Sequence, residues 1–243
     1  MSYTRLTLAR KEDKPAADRY LTPPWALRWM LRTSGWVPSG DIIWDPGAGG
    51  VRGWSLGAEV GKHHGLPCLL TDLAPASAEV TQGDFFKTSA PVGRSTHFAN
   101  PPFDCLPEWL AKALSESEEV ILLVPVNWLF NSRDGNRIHH MTDLWVPSKR
   151  MAFGLDDEAI ASRRAILQAG GTTVLKPNST SITGWGFDPT GESHGWARWV
   201  PGYEGVAHLH RPSYPTHEDM IMPGTRQLTI FDPQKNNSQS LTF

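Results

Sequence analysis

Asn100-Pro101-Pro102-Phe103 follows a short apolar run, Thr96-His97-Phe98-Ala99, at the point where a buried strand would end. Two consecutive prolines continue neither a helix nor a sheet ladder, because each lacks an N–H and has a fixed φ. The tetrapeptide therefore reads as a rigid turn presenting an amide side chain, backbone carbonyls and an aromatic ring. The Asn100 side-chain oxygen and the Pro101 carbonyl are suited to accept both N–H bonds of a planar exocyclic amine. Phe103 is suited to stack on the ring that carries it.

The amino nitrogen of a base such as adenine is a poor nucleophile, because its lone pair is delocalised into the ring. Two acceptors holding the N–H bonds out of the ring plane localise that lone pair. The nitrogen then attacks an electrophilic methyl group in line. It becomes acidic only after alkylation, so no strong base is required beforehand. The ordinary alternative is a proline-rich turn capped by Asn100. The segments upstream decide between the two.

Asp41-Ile42-Ile43-Trp44-Asp45-Pro46-Gly47-Ala48-Gly49-Gly50 reads as a strand, a Gly-rich turn, and then a helix starting near Gly53 or Trp54. Glycines let the backbone approach a ligand, and a helix N-terminus behind them favours a carboxylate or phosphate. A second apolar run, Leu66 to Thr71, ends at Asp72. An acid closing the second strand of a Rossmann-like unit typically binds ribose hydroxyls. A third segment, Val80 to Phe86, carries Asp84 followed by Phe85 and Phe86. Each acid alone is as readily a turn residue or a helix cap. Four such ends in order are harder to dismiss.

Together these residues resemble the S-adenosylmethionine-dependent amino methyltransferases, most closely the small adenine-N6 DNA methyltransferases of phages and prophages. The resemblance implies a cofactor loop at Asp45, Pro46, Gly47, Ala48 and Gly49. It implies a ribose-binding acid at Asp72 and a pair holding the cofactor adenine at Asp84 and Phe85. Asn100, Pro101, Pro102 and Phe103 match the catalytic tetrapeptide, and Asn100 also borders the cofactor. Tyr20-Leu21-Thr22-Pro23-Pro24-Trp25 resembles the N-terminal cofactor motif, adding Tyr20, Thr22 and Pro23 to the expected cofactor-binding set. The likeness runs over residues 18 to 153. Val51 stands where many relatives have another glycine, and Phe103 replaces the commoner tyrosine while keeping a stacking face.

The implied fold is α/β: a Rossmann-like class I methyltransferase fold with a mostly parallel seven-stranded sheet and helices on both faces. The sequence pattern agrees. Strands are expected at Ile42–Trp44, Leu66–Thr71, Thr96–Ala99 and Val120–Val124, separated by helices at Trp25–Thr33, Trp54–His64 and Pro107–Ser115. Ligands in such sheets bind at the carboxyl ends of the strands, which collects Asp45, Asp72, Asp84 and Asn100 on one edge. A further helix is expected over Asp156–Ala169, and His194–Val200 alternates as a late strand.

Hydrophobic content of 40% supports a proper core in a chain of 243 residues. The organisation reads as a flexible arm over residues 1–19, a methyltransferase domain over 20–210 with small inserted recognition loops, and an extended tail over 211–243. No apolar run of about 18 residues is present, so no membrane span is expected. Two cysteines, Cys68 and Cys105, form no metal pattern and fit a reducing cytoplasm. No metal is expected at His208, His210 or His217. The net charge of −2 argues against gross adhesion to nucleic acid but leaves room for a local basic face. Arg133, Arg137, Lys149 and Arg150 are the candidate DNA contacts. Recognition is expected from loops around residues 127–141 and 170–194.

Gln227-Leu228-Thr229-Ile230-Phe231 in the tail resembles the motif by which bacterial DNA-processing proteins dock on the sliding clamp, through Gln227, Leu228, Ile230 and Phe231. An edge strand packing on the domain is the competing reading. Other acceptors also suit an Asn-Pro-Pro-aromatic clamp: a guanine amine in RNA, cytosine N4, or a protein glutamine. Cytosine-N4 enzymes usually have Ser or Asp in place of Asn100. The glutamine enzymes usually carry an N-terminal recognition domain, for which the stretch before Ile42 is short. A catalytically silent nucleic-acid-binding module would have lost Asn100 or the cofactor acids, and all are intact. A nicotinamide-dependent reductase lacks its spaced third glycine here.

Overall fold

The computed structural model describes residues 21–50, 54–131, 137–148, 151, 153 and 193–210. Helix α1 (Pro24–Ser34) has a proline in its first turn and ends on Gly35, whose φ of 62° is the left-handed cap that glycine adopts without strain. Then follow β1 (Ile42–Asp45), α2 (Leu56–His64), β2 (Cys68–Asp72), β3 (Thr81–Gln82) and β4 (Ser95–Ala99). A 3₁₀ turn (Phe103–Cys105) leads into α3 (Leu106–Glu116), β5 (Glu119–Pro125) and α4 (Val126–Phe130). Strands β6 (Met141–Trp145), β7 (His194–Trp199) and β8 (His208–His210) complete the described elements.

The strands form one sheet in the order β3-β2-β1-β4-β5-β7-β6-β8. Strand β7 runs antiparallel to both of its neighbours, and every other pairing is parallel. This is the Rossmann-like, mostly parallel α/β architecture expected from the sequence. The sheet has eight strands where seven were expected. The extra one, β8, is a three-residue edge strand in parallel register with β6, too short and too polar to stand out as a strand in the sequence.

Helices cover both faces, and the strand period of two decides which side chains go where. Ile43, Phe98, Ile121, Leu123 and Trp196 point into a core shared with α1 and α2. Trp44, Ala99, Val120, Leu122, Val124 and Ala197 point into the core under α3 and α4. Strand β5, covered on both sides, is buried along its whole length. Helix α3 buries Leu106, Trp109, Leu110 and Ala113, an i, i+3, i+4, i+7 stripe. Helix α2 sits directly on β1 and β2 because Gly57 and Gly61 face them. A Cβ at Gly57 would lie 2.5 Å from the Asp45 Cβ, and one at Gly61 would lie 2.1 Å from the Cys68 sulfur.

A buried carboxylate ties the amino-terminal edge of the sheet together. Glu119 accepts hydrogen bonds from Trp36 Nε1 at 3.1 Å, the Ser39 amide at 2.9 Å and Thr96 Oγ1 at 3.1 Å, and it pairs with Arg198. Those partners satisfy a charge that would otherwise be costly to bury. None of the described helices is long and apolar enough to cross a membrane.

The chain leaves β1 for β2 and β3 on one side, then returns to β4 on the other side of β1. That reversal makes the gap between the carboxyl ends of β1 and β4 the topological switch point, where open α/β sheets form a ligand crevice. Asp45 ends β1 and Asn100 follows β4.

Candidate active site

A cleft of about 400 Å³ opens at this switch point. Its wall includes Leu21 and Thr22 from the amino-terminal segment and the Pro46–Gly50 loop after β1. Asp72 after β2, Asp84 to Phe86 after β3, and Asn100 to Phe103 after β4 also line it. Local chain chemistry explains why each of these ends turns inward.

Asp45 lies behind the Gly-rich loop, not on the cavity wall, and is fully buried. One carboxylate oxygen accepts the Gly47 amide at 3.2 Å and the other the Gly57 amide at 2.8 Å, joining the loop to the start of α2. Burial pushes its carboxyl up to about 7, against the opposing pull of those two amides and with a smaller push from Asp72. Gly49 and Gly50 have φ of 60° and 74°. A Cβ at Gly50 would come within 2.8 Å of Ser77 and Val80. At Gly49 a Cβ would meet no atom of the described residues within 4 Å, so its glycine serves the left-handed turn on the cavity wall.

The loop is pinned to the second strand. Asp72 Oδ2 accepts the Gly49 amide at 2.9 Å and Oδ1 accepts the Ala74 amide at 2.8 Å. The Ala48 amide donates to the Thr71 carbonyl at 3.0 Å. Asp84 accepts the Phe86 amide at 3.0 Å and pairs with Lys87 at 3.1 Å. The Lys87 hydrogen bond is the main reason its carboxyl stays below the usual range. Phe85 is buried and stacks on Trp109 with ring centroids 4.0 Å apart, while Phe86 stands 47% exposed at the lip.

In the tetrapeptide all peptide bonds are trans. The Pro102 carbonyl receives the Cys105 amide at 3.3 Å, which winds the chain into the 3₁₀ turn. Phe103 lines the cleft and stacks on His194 of β7 at 5.4 Å, and Phe153 meets both rings edge-on. Strand β7 thereby supports the aromatic member of the loop after β4.

Of the expected cofactor residues, Thr22, Pro46, Gly47, Gly49, Asp72, Asp84, Phe85 and Asn100 line one cavity. Pro23 is buried as the cap of α1, away from the cavity wall. Tyr20, Arg133, Lys149 and Arg150 lie outside the described residues, as do the expected helix at Asp156–Ala169 and Gln227, Leu228, Ile230 and Phe231. Arg137 is described and already engaged. Its guanidinium donates to the Trp128 carbonyl at 2.7 Å and lies 4.8 Å from the centre of the Trp128 ring. Trp54, Cys105 and Trp109 also line the cleft, and no spacing rule marked them in the sequence. Trp109 is reached only because α3 starts at Leu106 and turns its buried stripe back toward the loop after β1.

The residues fit S-adenosylmethionine on three grounds. Asp72 and Asp84 supply acceptors, Phe85 and Trp109 supply an aromatic surface, and the glycine loop leaves room for close approach. In addition, Thr22 Oγ1 is buried on the cavity wall with no hydrogen-bond partner among the described residues. A buried hydroxyl of this kind calls for a partner.

No protein-family model and no curated protein sequence matches the chain. Among solved structures it is similar to the crystal structure of a dimethyladenosine transferase from Plasmodium falciparum, with a TM-score of 0.43 and 14% identity. The match covers 75% of this chain and 63% of that one. At that identity and score the likeness carries no inference about substrate.

Proposed function

We propose that the protein transfers a methyl group from S-adenosylmethionine to the N6 amino group of adenine in DNA. The observation that carries this reading is the meeting of four strand ends at one cleft: the Gly-rich loop, Asp72, Asp84-Phe85 and Asn100 to Phe103. When bound, the cofactor supplies an electrophilic methyl group. Asp72 is suited to the ribose hydroxyls, and Phe85 with Trp109 to the adenine ring. The Asn100 side-chain oxygen and the Pro101 carbonyl hold the two N–H bonds of the target amine and localise its lone pair. The surplus amine proton leaves to water after methyl transfer. Phe103, backed by His194, stacks on the target base, which must leave the duplex for its amine to reach the cleft.

DNA as acceptor follows from the resemblance of the tetrapeptide and the N-terminal motif to the phage enzymes. Arg133, Lys149 and Arg150 are the proposed phosphate contacts, and Gln227 to Phe231 the proposed site for a bacterial sliding clamp. The deciding experiment incubates the protein with labelled S-adenosylmethionine and unmethylated genomic DNA, RNA or total protein, followed by nucleoside and amino-acid analysis. Label in N6-methyladenine of DNA is the expected result. Label only in RNA, cytosine or protein overturns the acceptor and keeps the amine chemistry. No transfer to any acceptor, with no cofactor binding, overturns the whole reading.

A further inference from the structure

His97 is fully buried on β4, three residues before Asn100, and sits behind the residues that line the cleft. Its Nε2 lies 2.9 Å from the indole Nε1 of Trp109. Tryptophan Nε1 only donates, so His97 Nε2 is the acceptor and the imidazole proton sits on Nδ1. That Nδ1 is buried with no hydrogen-bond partner among the described residues. An apolar side chain would fill the same space without burying an unpaired N–H, so packing does not account for a histidine here. What histidine supplies is the acceptor for Trp109.

Trp109 in turn lines the cleft and stacks on Phe85, its ring planes only 27° apart. Phe85 and Trp44 also pack around the imidazole, at 5.3 and 5.1 Å between centroids. Lys112 lies over the Phe85 ring at 5.4 Å and pairs with Glu116, so one cation also faces this cluster. Burial, aided by Lys112, pushes the imidazolium down to about 3. The neutral form needed to accept the indole proton therefore persists at any pH near neutrality.

Resting on the reading above, we infer that His97 is a positioning residue for cofactor recognition: by accepting the Trp109 indole proton it fixes the Trp109–Phe85 stack that receives the cofactor's adenine ring. It acts through Trp109 and touches neither methyl donor nor acceptor.

The test compares wild type with His97→Leu, His97→Gln and Trp109→Phe. Two readouts are used: the indole N–H resonance of Trp109 in ¹⁵N-tryptophan-labelled protein, and S-adenosylmethionine affinity by calorimetry. His97→Leu should shift the Trp109 resonance upfield even without cofactor and weaken binding about tenfold, the loss expected for one buried hydrogen bond. In turnover it should raise KM for the cofactor with kcat nearly kept. His97→Gln retains an acceptor and should preserve both readouts. If His97→Leu does not fold, Trp109→Phe keeps a stacking ring without the donor and should weaken binding by a similar factor. Unchanged affinity in a folded His97→Leu or Trp109→Phe protein overturns the inference while wild type still binds. Failure of wild type itself to bind S-adenosylmethionine overturns the functional reading instead, and leaves the resonance shift to report the His97–Trp109 bond alone.

Discussion

The Asp72 carboxylate accepts the Gly49 amide at 2.9 Å, so the acid that ends β2 also holds the loop that ends β1. Asp72→Ala should therefore do two things at once. It should weaken S-adenosylmethionine binding and cost about 1–2 kcal/mol of stability, because the Gly49 amide loses its partner. Among the described residues, the Asp84 carboxylate bonds only its near neighbours Phe86 and Lys87 on an exposed turn. Asp84→Ala should weaken cofactor binding with little change in melting temperature. Calorimetry and thermal melting of both variants check the contrast. Equal melting shifts in the two would remove the distinction.

Asn100→Ala should lower methyl transfer by about 10²–10³, the usual cost of removing one preorganised acceptor at the reacting group. Cofactor affinity should change little, since Asn100 is one of many groups on the cleft wall. Single-turnover rates with saturating cofactor separate the two effects. Near wild-type turnover would end the catalytic assignment of Asn100.

The strand ends were legible in the sequence because their chemistry is local. Pro101-Pro102, Gly47 to Gly50 and the acid after each apolar run stop a strand and present a functional group within a few residues. The buried strands β4 and β5 were legible for the same reason, as apolar runs bounded by turns. The long-range bonds were not. Glu119 is tolerated in the core because Trp36, Ser39, Thr96 and Arg198 reach it from 23 to 83 residues away. His194 supports Phe103 only because β7 inserts antiparallel beside β5, setting His194 opposite Pro125. Trp109 becomes a wall of the cleft through the direction in which α3 packs. Such pairings depend on topology, and no short pattern encodes them.

Arg137 carries a different expectation from the other candidate DNA contacts. Its guanidinium bonds the Trp128 carbonyl and stacks on that residue's ring, and the Trp199 indole donates to the Arg137 carbonyl at 2.8 Å. Arg137→Lys keeps the charge but loses the planar stacking group, and should lower stability by about 1 kcal/mol. The salt dependence of DNA binding should be the same as wild type. Arg133→Gln or Lys149→Gln should each reduce the slope of log K against log salt by about one. Binding titrations across salt concentrations and urea melts decide it. A reduced slope in Arg137→Gln, with stability unchanged, would make Arg137 a phosphate contact.

Two fully buried groups on neighbouring strands give opposite pH signatures. Burial pushes the His97 imidazolium from its ordinary 6.5 down to about 3, so between these values the unfolded chain binds a proton that the folded one does not. Its contribution to stability is complete above about pH 6.5 and is lost as pH falls toward 3. Burial pushes Asp45 from 3.8 up to about 7, so there the folded chain binds the extra proton. Its contribution is complete below about pH 4 and is lost as pH rises through 7. The two nearly cancel in wild type over most of that range, and single substitutions separate them. The stability gap between wild type and His97→Gln should widen as pH rises from 4.5 to 6.5, by up to about 1.4 kcal/mol per pH unit, and then stay flat. The gap between wild type and Asp45→Asn should narrow over pH 4.5 to 7, since asparagine cannot offer both the Gly47 and Gly57 amides an acceptor at any pH while the aspartate grows costlier. Urea midpoints at pH 4.5, 5.5, 6.5 and 7.5 provide the measurement. A gap for His97→Gln that does not move with pH would mean that the imidazole titrates normally in the folded protein and is not sealed behind the Trp109–Phe85 wall.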